Sequence, residues 1–320
     1  MSVHEISKPY FPGFTRKSVT FTIDDGNFEM DKKFISIVAP YGIKGTFNLC
    51  GNRYTDENRE EVLALYRGYE ISNHCAYHPF CFSDDARERI TDEPFVAQTA
   101  DPEKIYPDAT VANLYWIHQV KGWRKGTFVE GYLGFAKEGQ EKLESLFGEG
   151  NVHGFVWPFG KQKSVKCYEG LVAMGFPHLR ITGNVLDTTG YAIPADFLNW
   201  SYNANNKAIR EQVPIYENYP DDGELKFFAI GVHSIDFERD NNFCDLEYFA
   251  RTFGNKPELY YTAGVDEIFR YSVAAKQLLI TDDFIENPSD MDIYIKVDGE
   301  KFIVRAHTKL DLETKTLVFM

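Results

Sequence analysis

The sequence predicts an α/β fold: strand–helix units forming a parallel sheet closed into a barrel, with a long insertion after the third strand and a small β appendage at the end. Three observations predict it. Short strand-like runs alternate with amphipathic helical stretches about seven times between residues 18 and 279, which is the pattern of parallel β/α architecture. Asp24, Asp25, His74, Pro158 and His233 each fall just after a predicted strand, and in such barrels chemistry gathers at the carboxyl ends of the strands. After Ile280 the texture becomes that of a hairpin, two alternating runs around Asp298-Gly299. The chain therefore divides into a barrel over 1–280, interrupted by an insertion at 79–126, and an appendage over 281–320 that packs on the barrel, because about forty residues build little core alone.

The elements follow in order. Residues 1–17 are a polar and aromatic lead-in with two prolines. In Ser18–Ile23, Val19, Phe21 and Ile23 alternate with Thr20 and Thr22, a buried strand of β-branched and aromatic residues running into Asp24-Asp25-Gly26. Asp31–Pro40 reads as a helix stopped by its proline. Gly45–Leu49 is the second strand, Glu57–Arg67 an amphipathic helix closed by Gly68, and Glu70–Asn73 a third strand leading into His74. Over 79–126 the periodicity is lost. This stretch, with Trp116, His118, Trp123 and Arg124, reads either as an insertion over the mouth of the barrel or as an excursion packed on its own two tryptophans. A helix over Gly134–Gly148 and a strand over Val152–Trp157 follow, then a helix capped by Ser164 and closed by Gly175. Leu179–Thr182 is the fifth strand, followed by a loop of about forty residues. Leu225–Val232 is the sixth strand, ending at His233. The helix Asp245–Phe253, the strand Leu259–Ala263 and the helix Val265–Leu279 complete the barrel. In the appendage, Ile293–Val297 and Lys301–Ala306 form the hairpin, with Leu317–Phe319 as an added strand.

Bulk properties narrow the function. The chain has 320 residues, 43% hydrophobic and 26% charged, the balance of a soluble globular protein. Lys+Arg 34 against Asp+Glu 48 gives a net charge of −14, which argues against nucleic acid or an anionic membrane as partner. No stretch approaches the roughly twenty apolar residues of a membrane span. Five cysteines without framework spacing favour a reducing compartment. The expectation is a cytoplasmic protein; the alternative is an exported one written without its signal peptide.

Two strand ends carry the chemistry. Asp24-Asp25-Gly26 alone is an ordinary turn. His74-Cys75-Ala76-Tyr77-His78 adds two imidazoles four residues apart, and together they offer the carboxylate and two histidines of a His₂Asp metal site with positions left for water and substrate. The same donors form the facial triad of non-haem iron, but the β/α pattern differs from the usual all-β oxygenase scaffold.

At these residues the sequence resembles the polysaccharide (NodB-type) deacetylases, metal-dependent enzymes that remove N- or O-acetyl groups from sugars. Thr22-Ile23-Asp24-Asp25-Gly26 resembles their Thr-Phe-Asp-Asp-Gly motif, and His74 to His78 their His-Ser/Thr-x-x-His, with Cys75 at the hydroxyl position. The resemblance covers residues 18–275 and implies an irregular (β/α)₇ barrel. It implies that Asp25, His74 and His78 hold a divalent metal, zinc first, with cobalt, nickel, manganese or iron as alternatives. It implies Asp24 as general base and His233, in Val232-His233, as the acid that protonates the leaving group. It also implies that Trp157, Pro158, Phe159 and Gly160 form the substrate and oxyanion side of the site, with the backbone N–H of Phe159 helping to hold the oxyanion. Two motifs depart from the family. The third, Arg-x-Pro-Tyr-Gly, reads Val156-Trp157-Pro158-Phe159-Gly160, so the arginine that orients the base is absent; Arg180 and Arg124 are candidate replacements. The fourth, Asp-x-x-Asp-Trp, reads Asp196-Phe197-Leu198-Asn199-Trp200, with Asp196 expected to tune His233 and Trp200 to wall the acyl pocket. His4, His118, His153, His178 and His307 end no strand and read as structural or surface residues, with His118, in the insertion, the one among them placed to reach substrate.

The expected function is a metal-dependent hydrolase removing acetyl groups from a carbohydrate. The alternatives are an allantoinase- or imidase-like hydrolase of a small amide, and a non-catalytic carbohydrate-binding protein that has kept the barrel.

Overall fold

The computed structural model describes residues 4–81, 84, 128–182 and 190–319. Most of the stretch 79–126 lies outside the described residues, including Trp116, His118, Trp123 and Arg124. The barrel strands are β1 (Lys17–Asp25), β2 (Gly45–Leu49), β3 (Glu70–Asn73), β4 (Val152–Val156), β5 (Leu179–Arg180), β6 (Lys226–His233) and β7 (Tyr260–Thr262). They pair in parallel in the order β5-β4-β3-β2-β1-β6, with β7 against the start of β1. Around them lie α1 (Phe28–Val38), α2 (Arg59–Leu65), α3 (Phe128–Phe147), α4 (Val165–Ala173), α5 (Ile209–Glu217), α6 (Ser234–Arg239), α7 (Phe243–Phe253) and α8 (Val265–Lys276).

The central strand sorts its side chains by parity. Val19, Phe21 and Ile23 are fully buried in the layer between sheet and helices, where the Phe21 ring meets Phe34 of α1 at 5.0 Å and Phe249 of α7 at 4.6 Å. Truncating such an aromatic typically costs ~3–5 kcal/mol. Ser18, Thr20, Thr22 and Asp24 share the other face, and their polar groups are bonded across the sheet. Ser18 donates to the Lys226 carbonyl, Thr20 to the Ala263 carbonyl, and Thr22 accepts from Asn48. This polar interior row leads directly to Asp24.

The sheet curls, and an irregular segment joins its edges. Trp200 bridges to Arg180 on β5, and Ala204 bridges to Ile230 on β6. Ile181 N–H donates to the Trp200 carbonyl and Gly231 N–H to the Ala204 carbonyl, each at 2.9 Å. The loop expected between the fifth and sixth strands therefore holds this closing segment, and then α5. That helix escapes a sequence reading because Pro214 sits inside it, a residue that normally ends helices.

The appendage contains β8 (Leu279–Ile280), β9 (Phe284–Asn287), β10 (Ile293–Val297), β11 (Glu300–Val304), β12 (Thr308–Asp311) and β13 (Thr316–Phe319). β10 and β11 form the expected hairpin. The last strand does not join it: β13 pairs with β12 in an antiparallel sheet ordered β13-β12-β9-β8. The hairpin's other neighbour is the N-terminal arm, where Tyr10 N–H donates to the Tyr294 carbonyl at 2.8 Å. Ile285, Ile293, Ile295 and Val297 share one buried cluster with Phe227, Ala229 and Phe269 of the barrel, so the appendage has no core of its own. Among the described residues, no helix is long and apolar enough to cross a membrane.

Candidate active site

β1 delivers two carboxylates in different directions. Asp24 continues the interior row. Asp25 has the opposite parity, and its backbone turns into the left-handed region at φ 76°, re-aiming its carboxylate. Gly26 then takes φ 71°, and a Cβ there would fall 2.1 Å from the Tyr54 hydroxyl, so both conformation and space require glycine. At the end of β3 the chain folds back on itself over Cys75–Tyr77. Cys75 (φ 63°) and His78 (φ 56°) are again left-handed, so the two histidines are brought together by an irregular turn rather than a helical one. With Phe159 at φ 59°, four non-glycine residues of this rim hold positive φ. Such strain costs ~1–3 kcal/mol each and concentrates at functional sites.

Asp25, His74 and His78 converge. Asp25 Oδ1 lies 3.5 Å from His74 Nε2 and 3.5 Å from His78 Nε2, and the donor atoms all lie within 4.8 Å of one another. His74 Nδ1 donates to the Val156 carbonyl at 2.8 Å, which fixes the tautomer and leaves Nε2 as a lone pair facing the cluster. That Nε2 and Asp25 Oδ1 are buried without a hydrogen-bond partner. Leaving such atoms unsatisfied costs ~1–3 kcal/mol apiece. Burial pushes the His78 imidazolium down, and despite the Asp25 charge its pKa falls to about 3, so His78 is neutral and able to donate electrons. Burial raises the Asp25 carboxyl, but the neighbouring His74, His78 and His233 rings outweigh it and hold it well below the usual range. One carboxylate and two imidazoles whose donor atoms converge, those of Asp25 and His74 lacking a hydrogen-bond partner, fit a divalent cation.

Opposite them stand Asp24 and His233. The strand register puts Asp24 beside Asn48 on one neighbour and beside His233 on the other. Asn48 Nδ2 donates to Asp24 Oδ1 at 2.8 Å, and Arg180 Nη2 lies 2.5 Å from both Asp24 oxygens. Burial raises Asp24, but Arg180, then His74 and His233, hold its carboxyl below the ordinary value. His233 Nδ1 lies 3.0 Å from Asp236 Oδ2, which also accepts from the His233 backbone N–H. Burial lowers His233; the bond to Asp236 and the charges of Asp24 and Asp25 more than reverse this and lift it to about 9. A cleft of about 500 Å³ opens over both corners and continues past Phe159, Gly160 and Tyr202 towards Lys207 and Arg239.

Some expected site residues lie elsewhere. The Asp196 carboxylate does not serve His233; it accepts from the Leu198 backbone N–H in its own turn, and Asp236 is the histidine's partner. Trp200 does not wall the cleft: it is buried among Phe227, Phe269 and His178. Trp157 is also core, stacked on Tyr132, and buried Pro158 does not line the cleft; of the third motif, Phe159 and Gly160 do. Asn48, Asp236 and Arg53, whose Nη2 lies 3.8 Å from Asp25, were not legible as site residues. Asp236 left a trace, since His233-x-x-Asp236 has the spacing of a helix-capping box.

A curled parallel β/α sheet, with a carboxylate and two histidines converging at its strand ends, defines the class. The profile of the family described as polysaccharide deacetylase matches residues 12–116. Over that stretch the chain is similar to the polysaccharide deacetylase family. No curated protein matches it. Among solved structures it is similar to a family 4 acetyl xylan esterase from Clostridium thermocellum in complex with a cobalt ion, with 14% identity over 79% of this chain and 90% of that one and a TM-score of 0.44. A Streptococcus mutans esterase of the same family matches with 16% identity over 78% and 86%, TM-score 0.43. A polysaccharide deacetylase from Bacillus cereus matches with 14% identity over 78% and 92%, TM-score 0.42.

Proposed function

We propose that the protein is a divalent-cation-dependent hydrolase that removes acetyl groups, N- or O-linked, from a carbohydrate. The observation that carries the reading is the convergence of Asp25, His74 and His78, with orphaned donor atoms on Asp25 and His74, across one cleft from Asp24 and His233. Asp25, His74 and His78 would hold the cation, zinc first by donor set, with cobalt, nickel, manganese or iron also compatible. When bound, the cation polarises the acyl carbonyl and makes a nearby water more acidic. Asp24, kept ionised by Arg180, takes the proton of the attacking water. His233, kept protonated near neutral pH by Asp236 and the two carboxylates, gives its proton to the leaving amine or alkoxide. Phe159 and Gly160 border the acyl group. The cleft's polar extension past Tyr202 suits a sugar chain.

The test is metal analysis of the purified protein, then acetate release from acetylated xylan and from N-acetylglucosamine oligomers, with chelator and after zinc or cobalt is restored. The expected result is one bound cation per chain and acetate release that chelation abolishes and metal restores. Turnover of a cyclic imide but of no acetylated sugar would favour the small-amide reading. Glycan binding without bound cation or turnover would favour a non-catalytic role.

A further inference from the structure

We propose that Arg180 is the positioning residue for Asp24, and that β5 supplies from the side the guanidinium that Val156, on β4, does not. The inference rests on Asp24 being the base of the proposed reaction. Three observations carry it.

First, the register is direct. β4 and β5 run parallel with Val156 opposite Arg180, and the next residue, Trp157, donates its N–H to the Arg180 carbonyl at 3.0 Å. A side chain from position 180 thus starts one strand spacing, ~4.8 Å, from where a side chain at 156 would start. Two adjacent stations can therefore serve the same carboxylate.

Second, Arg180 is built in. It is 1% exposed, and its Nη2 meets both oxygens of Asp24 while its guanidinium lies over the Tyr202 ring at 5.3 Å. Among the described residues, Asp24 is the only carboxylate in ion-pair contact with it. A buried guanidinium is costly unless paired. Here the pairing is to a residue of the cleft, not to a structural partner in the wall, and Nε remains buried without a partner.

Third, the remaining freedom of Asp24 is removed by Asn48, whose Nδ2 reaches Oδ1 from the opposite strand. Together, Arg180 and Asn48 clamp the carboxylate in the plane that faces the cleft. Misplacing a reacting group by about 1 Å costs on the order of a hundredfold in rate.

The barrel closure makes this possible. Arg180 is the last residue of β5, and its strand is held on its outer side by the irregular segment through Trp200. Without that bridge β5 would be a two-residue edge strand, a poor base from which to aim a long side chain.

The experiment compares kcat, KM and bound cation in the zinc-loaded full chain. Arg180→Ala is expected to lower kcat about 10–100-fold, leaving the cation content unchanged and KM within about threefold. In an Asp24→Asn background the same substitution is expected to cost less than about twofold, because its target has gone. Val156→Arg added to Arg180→Ala, or guanidinium chloride added to Arg180→Ala, is expected to recover about tenfold of the loss. An Arg180→Ala protein as active as wild type overturns the proposal, as does an equal loss in both backgrounds. If Arg180→Ala does not fold, Arg180→Lys takes its place. It keeps the charge but loses the planar geometry, and a drop in kcat that vanishes with Asp24→Asn supports the proposal, whereas full activity overturns it. A wild-type protein that binds no cation and releases no acetate refutes the proposed reaction instead, which separates the two failures.

Discussion

The two corners of the cleft are built in opposite ways. The cation corner takes Asp25 from β1 and both histidines from one reversal after β3, and each of Asp25 and His78 sits in a left-handed backbone conformation that aims it. The acid–base corner draws Asp24 from β1, Arg180 from β5, His233 from β6 and Asp236 from α6. Ligands around one ion must meet at a point, so their positions are fixed by short, strained stretches of chain. A base and an acid need only the right charge beside them, and any strand or helix that reaches can supply it. The difference explains why the first corner reads as two short motifs, while Arg180 and Asp236 reach the second from a separate strand and a separate helix.

The comparison breaks most visibly at the cation corner. His74→Ala or His78→Ala is expected to remove the cation and to lower acetate release by about a thousandfold or more, both lost together. Metal stoichiometry and turnover measured on the same sample check this. Retained cation in either variant would mean that the three donors are not one site. Asp24→Asn is expected to do the opposite: full cation content, with kcat reduced about 100-fold or more. If both substitutions lost the cation equally, the division into two corners would fail.

A milder change sharpens the acid–base corner alone. Burial lowers the His233 pKa, and the Asp236 bond is the leading influence that raises it towards about 9. The protonated form is the acid, so activity should fall as pH rises through that value. Asp236→Asn removes the bond to a carboxylate, so the alkaline loss should begin at lower pH, with kcat/KM down about tenfold near neutrality. Profiles of kcat/KM against pH for wild type and variant decide it. Asp196→Asn, by contrast, is expected to leave the profile unmoved, because Asp196 is spent on its own turn.

The same division describes what could be read in advance. Period-two runs such as Val19, Phe21 and Ile23 declare strands because burial on one face demands the alternation. Motifs that hold a ligand set are contiguous and therefore visible. Asn48 carries no such mark, and Arg180 is one of two candidate replacements for a missing arginine: each is one polar residue in a short strand, and the pairing of β1 with β2 and of β5 with β4 turns them towards Asp24. Trp200 misled for the same reason, since an aromatic after a motif can face the cleft or the core, and here Phe227 and Phe269 claim it. The helix α5 was hidden by Pro214, which tertiary packing of Val213 and Tyr216 overrides.

The smallest predicted effect lies beneath the acid–base corner. His178 precedes Leu179-Arg180, is 1% exposed, and fills the space beside Gly154, where a Cβ would fall 2.1 Å from its ring. Burial first, then the His153 and Arg180 charges, lower its pKa to about 3, against the usual 6.5 of an exposed histidine. Between these values the unfolded chain takes up a proton that the folded one refuses. The stability contributed by neutral His178 is thus present above about pH 6.5 and is lost as pH falls towards about 3. His178→Leu removes that proton from the balance. The variant's unfolding free energy should therefore fall less steeply on acidification, by at most about 1.4 kcal/mol per pH unit, while its cation content at neutral pH stays that of wild type. Denaturant titrations at several pH values between 4 and 7 would reveal the change of slope. Parallel curves for the two proteins would mean that His178 takes up its proton in the folded chain as readily as in the unfolded one.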